Sequence, residues 1–362
     1  MNDNSIKLLE KATRNKLQNE RFSEFMEQIA SENVVLRSIE CGTLMQLLSD
    51  VSMEQLKVYK ANFCGNRFCP MCTWRRAKKD GYMLSLCMEY IKKEFNYDFI
   101  FLTLTTPNVQ SDSLNDEIKN YNKAFDRLMK LAPVKKICKG YVRKLEITYA
   151  KNEFITPELY EKKKNYYIKR GLNVGDKEPN FNTYNPHFHV VIAVNKSYLN
   201  NNSASKGYLS QQKWLELWQQ SMRNTEITQV KVQQVQENNG KEIFEIAKYS
   251  AKDSEFLHSF DVFKIFYDAL KGKQVLVFGG CFKDAVKKYK LGELEYLEKS
   301  ELTVWYYLLT YKWEKQNYEE VDIRKLDIDE FNKFNKISIE DKPFDDEKLS
   351  KELIKEIQDK LK

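Results

Sequence analysis

The sequence predicts an α+β protein whose central sheet is mostly antiparallel and flanked by helices. Three observations predict it. Runs of β-branched and aromatic residues recur at 97–106, 138–149 and 185–194, segments of helical spacing lie between and after them, and from 97 to 252 the elements follow the order β-α-β-β-α-β-α. This domain is expected over 91–290. An N-terminal helical and cysteine-rich module is expected over 1–90, and a mostly helical region over 291–362.

Taken in order, residues 1 to about 50 are polar, with apolar positions every three or four residues (Ile6, Leu9, Phe22, Phe25, Met26, Ile29), as in helices. Phe63-Cys64-Gly65-Asn66-Arg67-Phe68-Cys69-Pro70-Met71-Cys72 then sets three thiols within nine positions. That spacing fits a zinc knuckle, and Cys41 is the best fourth ligand; four thiolates would form a closed structural Zn²⁺ site. Ordinary buried thiols and a thioredoxin-like redox pair are the competing readings. Arg75 and Arg76, beside Trp74, are positioned to contact DNA phosphates or to form a solvated helix face.

Tyr97 to Thr106 reads as a strand ended by Pro107-Asn108. Ser113 to Leu131 has helical spacing, with Ser113 as its N-cap. Cys138 to Tyr149 is a second strand with a carboxylate, Glu146, inside it. Residues 150–184 are rich in Lys and Asn and read as a long insertion before the next strand. A helix over 210–222, a strand over 229–235, a helix over 243–252 and a strand and turn over 274–280 complete the domain. Beyond these, Trp305-Tyr306-Tyr307-Leu308-Leu309 and the charged tail read as helices and connections.

At 362 residues the chain can bury a large core and hold more than one domain. A net charge of +7 is compatible with nucleic acid without establishing it. Seven cysteines, an odd number with three clustered, favour metal binding and free thiols over a disulfide framework. No N-terminal apolar segment and no run of membrane-spanning length is seen, so a cytoplasmic protein without a membrane partner is expected.

Two of the three histidines stand in Asn185-Pro186-His187-Phe188-His189-Val190. On a strand His187 and His189 share a face while Phe188 takes the other, so the two imidazoles can grip one metal ion. A hydrogen-bonded pair of core histidines is the competing reading. Glu146, on a strand joined to the histidine strand through the 150–184 connection, fits as the third ligand. Downstream, Glu245, Tyr249 and Lys252 are spaced four and three residues apart and would share one helix face. A tyrosine of pKa about 10 becomes a useful nucleophile where a cation stabilises its phenolate.

Phe101-Leu102-Thr103-Leu104-Thr105-Thr106-Pro107-Asn108, Asn185-Pro186-His187-Phe188-His189 and Glu245 to Lys252 resemble the three motifs of the rolling-circle replication initiators of small Gram-positive plasmids. These are members of the histidine-hydrophobic-histidine (HUH) endonuclease superfamily. The Phe63 to Arg76 segment and Leu270-Lys271-Gly272-Lys273 are similar to stretches flanking the motifs in the same family, so the resemblance covers roughly 35–290.

It implies an HUH-like nicking domain that acts on the plasmid double-strand origin. His187, His189 and Glu146 would bind Mg²⁺ or Mn²⁺. Tyr249 would form a 5′-phosphotyrosine link and release a 3′-OH primer. Glu245 would activate water for the terminating cleavage, Lys252 would offset charge at the phosphate, and Lys248 would contact backbone phosphates. Host helicase, DNA polymerase and single-strand binding protein are the implied partners, with a homodimer as one oligomeric state. A related relaxase or transposase, a non-catalytic zinc-containing DNA-binding regulator and a non-haem iron oxygenase are the competing functions.

Overall fold

The computed structural model describes residues 3–199, 207–235, 255–297 and 303–336. The chain divides into two compact units, one formed by 1–90 with 286–362 and the other by 91–285.

The second unit is built on a five-stranded antiparallel sheet. Its strands are β3 (Tyr97–Thr105), β4 (Gly140–Tyr149), β5 (Tyr184–Asn195), β6 (Val230–Gln234) and β7 (Leu276–Gly280), in the order β6-β3-β5-β4-β7. The expected strands are therefore present, and the histidine strand lies at the centre, between β3 and β4. Its central place explains why Val190 to Val194 are all buried, since both faces of the strand are covered.

One face of β5 packs against helices. Phe188 is fully buried and meets Tyr121 and Phe125 of the helix Leu114–Lys130 edge-on, at ring-centroid distances of 5.2 and 5.6 Å. The Arg143 guanidinium lies over the Phe188 ring at 4.4 Å, and Trp218 of the helix Gln211–Met222 packs on Tyr121 at 5.5 Å. Two hydrogen bonds tie this helical layer to the strand ends: Tyr121 donates to the Pro186 carbonyl at 2.6 Å and the Trp218 indole to the Thr105 carbonyl at 2.9 Å. Strand alternation sends His187 and His189 to the opposite face.

One local expectation is corrected. Ser113 occupies the N-cap position but has helical backbone angles, and its hydroxyl donates to Asp112 instead of capping the helix. The 150–184 insertion joins the antiparallel pair β4 and β5 as expected, and it adds the short helices Pro157–Lys162 and Lys164–Ile168. Ser210, by contrast, accepts from the Lys213 amide and caps its helix.

The first unit contains the helices Asp3–Glu27 and Glu32–Glu40 and an antiparallel sheet of four strands. These are β1 (Leu44–Ser49), β2 (Leu56–Ala61), β8 (Tyr307–Glu314) and β9 (Asn317–Lys325), in the order β2-β1-β8-β9. Residues 44–49, expected to be helical, are thus a strand, and the region beyond 291 contributes a hairpin as well as the helix Ile328–Lys336. The reason is tertiary. Leu48, Tyr59, Trp305, Leu308 and Phe334 form one buried cluster, which Trp305 enters just before β8 and Leu308 enters from β8 beside β1. Gly42, before β1, has φ +74°, a left-handed conformation that residues with a Cβ rarely adopt, which favours glycine at this turn.

Candidate metal centres

Antiparallel register aligns the first centre. Glu146 of β4 pairs directly with His187 of β5, and Thr105 and Thr103 of β3 pair with His187 and His189. Direct cross-strand partners share a face, which places all these side chains together. The ligand atoms of Glu146, His187 and His189 lie within 4.8 Å of one another. Glu146 Oε2 is 2.7 Å from His189 Nε2 and 3.4 Å from His187 Nε2, and the two rings stand nearly perpendicular, at 86°.

The surroundings orient each ring. His187 Nδ1 is 3.3 Å from the Asn185 backbone carbonyl, which fixes the ring with its Nε2 toward Glu146. His189 Nδ1 lies 3.4 Å from the Thr103 hydroxyl, and Phe101 stacks on the ring at 5.6 Å. Burial by itself would raise the Glu146 carboxyl. Hydrogen bonding and charge from His187 and His189 outweigh it and hold the group well below the usual carboxylate range, so the carboxylate is ionised at neutral pH. A buried carboxylate with two convergent imidazoles suits a divalent cation. Thr103 and Asn185, which orient the rings, were not singled out in the sequence; the signal was available in the β3 and β5 motifs but needed the register to be read.

The second centre gathers Cys41, Cys64, Cys69 and Cys72, whose sulfurs also lie within 4.8 Å of one another. Cys41 to Cys69 is 3.4 Å, and Cys41 to Cys72 and Cys64 to Cys72 are both 3.6 Å. A tetrahedron with Zn–S bonds of about 2.3 Å has sulfurs roughly 3.8 Å apart, close to this spacing. All seven cysteines are free thiols. Burial pushes the Cys41 and Cys69 thiols up, whereas hydrogen bonds from Cys41, Cys69 and Cys72 pull the Cys64 thiol down. A cation held among the four sulfurs favours their thiolate forms.

The surroundings suit that cation. The Cys64 and Gly65 amides donate to the Cys41 and Cys72 sulfurs, both at 3.3 Å, and Asn19 donates to Cys69 at 3.4 Å. Lys16, only 1% exposed, donates to Asn19 and to the Ile39 carbonyl. Burial lowers its ammonium below the usual lysine range, against the opposing electrostatic pull of Cys41 and Cys69. Neither Asn19 nor Lys16 stands out in the sequence, because a polar residue on an amphipathic helix reads as solvent-facing.

Of the remaining candidate residues, Arg75 is buried and Arg76 exposed on the helix Pro70–Phe95. Glu245, Lys248, Tyr249 and Lys252 lie outside the described residues.

The profile of a family described as "Replication protein" matches residues 55–320. This chain belongs to that replication protein family. It is 46% identical over 249 residues to "Protein rep" of Staphylococcus aureus, covering 69% of this chain and 95% of the relative. It is 30% identical over 286 residues to "Protein rep" of Streptococcus pneumoniae serotype 2 (strain D39 / NCTC 7466), covering 77% and 80%. A "Protein rep" of Bacillus amyloliquefaciens is 29% identical over 283 residues, covering 72% and 74%. No solved structure matches significantly. The family match bears out the resemblance to plasmid replication initiators. Among the described residues no helix is long and apolar enough to cross a membrane.

Proposed function

We propose that this replication protein nicks one strand of its plasmid's double-strand origin, primes rolling-circle synthesis from the released 3′-OH, and terminates by a second cleavage and joining. The observation that carries this is the convergence of Glu146, His187 and His189 on neighbouring central strands, within 4.8 Å, in a member of a replication family. A bound Mg²⁺ or Mn²⁺ would supply Lewis-acid polarisation of the scissile phosphodiester. His187, His189 and Glu146 would hold that cation, while Asn185 and Thr103 keep the rings oriented.

Tyr249 is the nucleophile. Its oxygen bonds to phosphorus, the bond from phosphorus to the 3′ oxygen breaks, and the leaving oxygen takes up a proton to become the 3′-OH. Energy of the phosphodiester is kept in the phosphotyrosine link for rejoining. The chain returns from the Tyr249 segment at Glu255, whose carboxylate accepts the Tyr149 amide at 2.9 Å at the end of β4, three residues beyond Glu146. Tyr249 is six positions before Glu255, a reach of at most about 22 Å, which is compatible with the tyrosine serving this centre. Glu245 acts as general base for the terminating hydrolysis, Lys252 offsets charge at the phosphate, and Lys248 contacts the DNA backbone. The four thiols hold a structural Zn²⁺.

The test is incubation of the protein with supercoiled parent plasmid, with and without Mg²⁺ or Mn²⁺. Metal-dependent nicked circles with protein on the 5′ end are expected, and Tyr249→Phe should lose the adduct while still binding DNA. An adduct that persists in the variant overturns the nucleophile assignment. Binding without cleavage under either metal favours the non-catalytic regulator.

A further inference from the structure

Beside the four-cysteine centre lies a pocket of about 210 Å³ whose lining includes Arg37, Arg75, Arg76 and Lys79, with Asp80 as the only acid among the described lining residues. Arg75 is only 4% exposed, and its Nε and Nη1 are buried without a hydrogen-bond partner among the described residues. A buried guanidinium with two unmet donors is costly, and an anion in the adjoining pocket relieves that cost. Arg37 and Arg76 flank it and are themselves exposed.

The Cys64–Gly65 turn links this pocket to the metal centre. Its two amides donate to the Cys41 and Cys72 sulfurs, and its two carbonyls accept from Arg37 Nη2 at 3.2 Å and Arg76 Nη2 at 3.3 Å. One short turn therefore fixes both the sulfurs and the arginines.

We propose that this pocket receives one backbone phosphate of DNA, with Arg37, Arg75 and Arg76 as its charged donors and the four-cysteine centre as the brace that sets their spacing. Planar guanidinium forks match phosphate oxygens, and a volume of this size suits one phosphate group, not a base pair. The contact carries affinity and register, not base sequence. The inference rests on the reading of the chain as a DNA-acting initiator and adds to it a phosphate receptor built on the cysteine module.

The experiment measures binding of the full-length, zinc-loaded chain to a fluorescent DNA duplex across a salt series. Arg37→Ala/Arg76→Ala, which truncates two exposed side chains, is expected to weaken binding roughly tenfold and to lower the slope of log K against log salt by about one. Arg75→Lys keeps the charge but loses the fork and should weaken binding several-fold with zinc content unchanged. Stripping the zinc should reduce wild-type affinity and leave the double variant little changed. A double variant that keeps both its affinity and its slope, while wild-type protein nicks plasmid, overturns the pocket alone. A wild-type protein that binds DNA without nicking overturns the nicking reading and leaves the pocket to be judged by the slope. Failure of the wild type to bind DNA overturns both.

Discussion

Replacing Glu146 by glutamine separates a metal ligand from a structural carboxylate. The residue is 4% exposed, and its Oε2 meets His189 Nε2 at 2.7 Å and His187 Nε2 at 3.4 Å. The amide is isosteric, and its NH₂ can donate to an imidazole nitrogen, so no donor is orphaned. What is lost is the charge. Exchanging a charge-assisted hydrogen bond for a neutral one costs about 1–2 kcal/mol, a fall of roughly 2–8 °C in melting temperature for a unit of this size. The metal loses an anionic oxygen, for which at least ~100-fold weaker binding is expected, since even outer-shell changes cost 10–100-fold. Titrating Mn²⁺ into a plasmid-nicking reaction should therefore shift the midpoint at least a hundredfold upward, with nicking partly restored at saturating metal. An unchanged midpoint in a folded variant would refute the assignment of Glu146 as a ligand.

Other perturbations follow from the same geometry. The Glu146 carboxyl is depressed in the folded state, so its contribution is present above the ordinary value of 4.5 and is lost as pH falls below it; urea melts at a series of pH values below 4.5 should show wild-type stability dropping more steeply than that of Glu146→Gln. Phe188→Ala removes a fully buried ring held among Tyr121, Phe125 and Arg143 and should cost about 3–5 kcal/mol in chemical denaturation. Chelating zinc should release one metal per chain and lower the melting temperature of the cysteine-bearing unit, and Cys69→Ser should reproduce this without chelator.

The half of the fold that gathers Glu146, His187 and His189 was legible because its signals are local. An apolar run broken by His187 and His189 states the strand period, and one carboxylate in β4 suffices to complete the site once antiparallel pairing is assumed. Cysteine spacing likewise exposed the second centre, with Cys41 joining from 23 residues upstream of Cys64. The β8–β9 hairpin was not legible. Its turn residues, Lys315 and Gln316, take φ +49° and +63°, a conformation that sequences usually announce with Asn-Gly, and here neither residue appears. Its partner β1 is also remote: Gln46 and Thr310, aligned across the strands, are 264 residues apart, and no local periodicity encodes such a pairing. Arg37 escaped notice for a related reason, since only the folded Cys64–Gly65 turn connects it to Arg76.

The pairing of β1 with β8 also fixes an order of events on the ribosome. The stretch 91–285 emerges uninterrupted and contains every strand of its own sheet, so it can fold while synthesis continues. The first 90 residues, four cysteines included, must wait for β8 to be translated before their sheet has its third strand. At ~5–20 residues per second, the intervening 195 residues of the other unit impose a delay of roughly 10–40 s. For that interval the nascent chain holds four clustered thiols beside a sheet that is still unfinished.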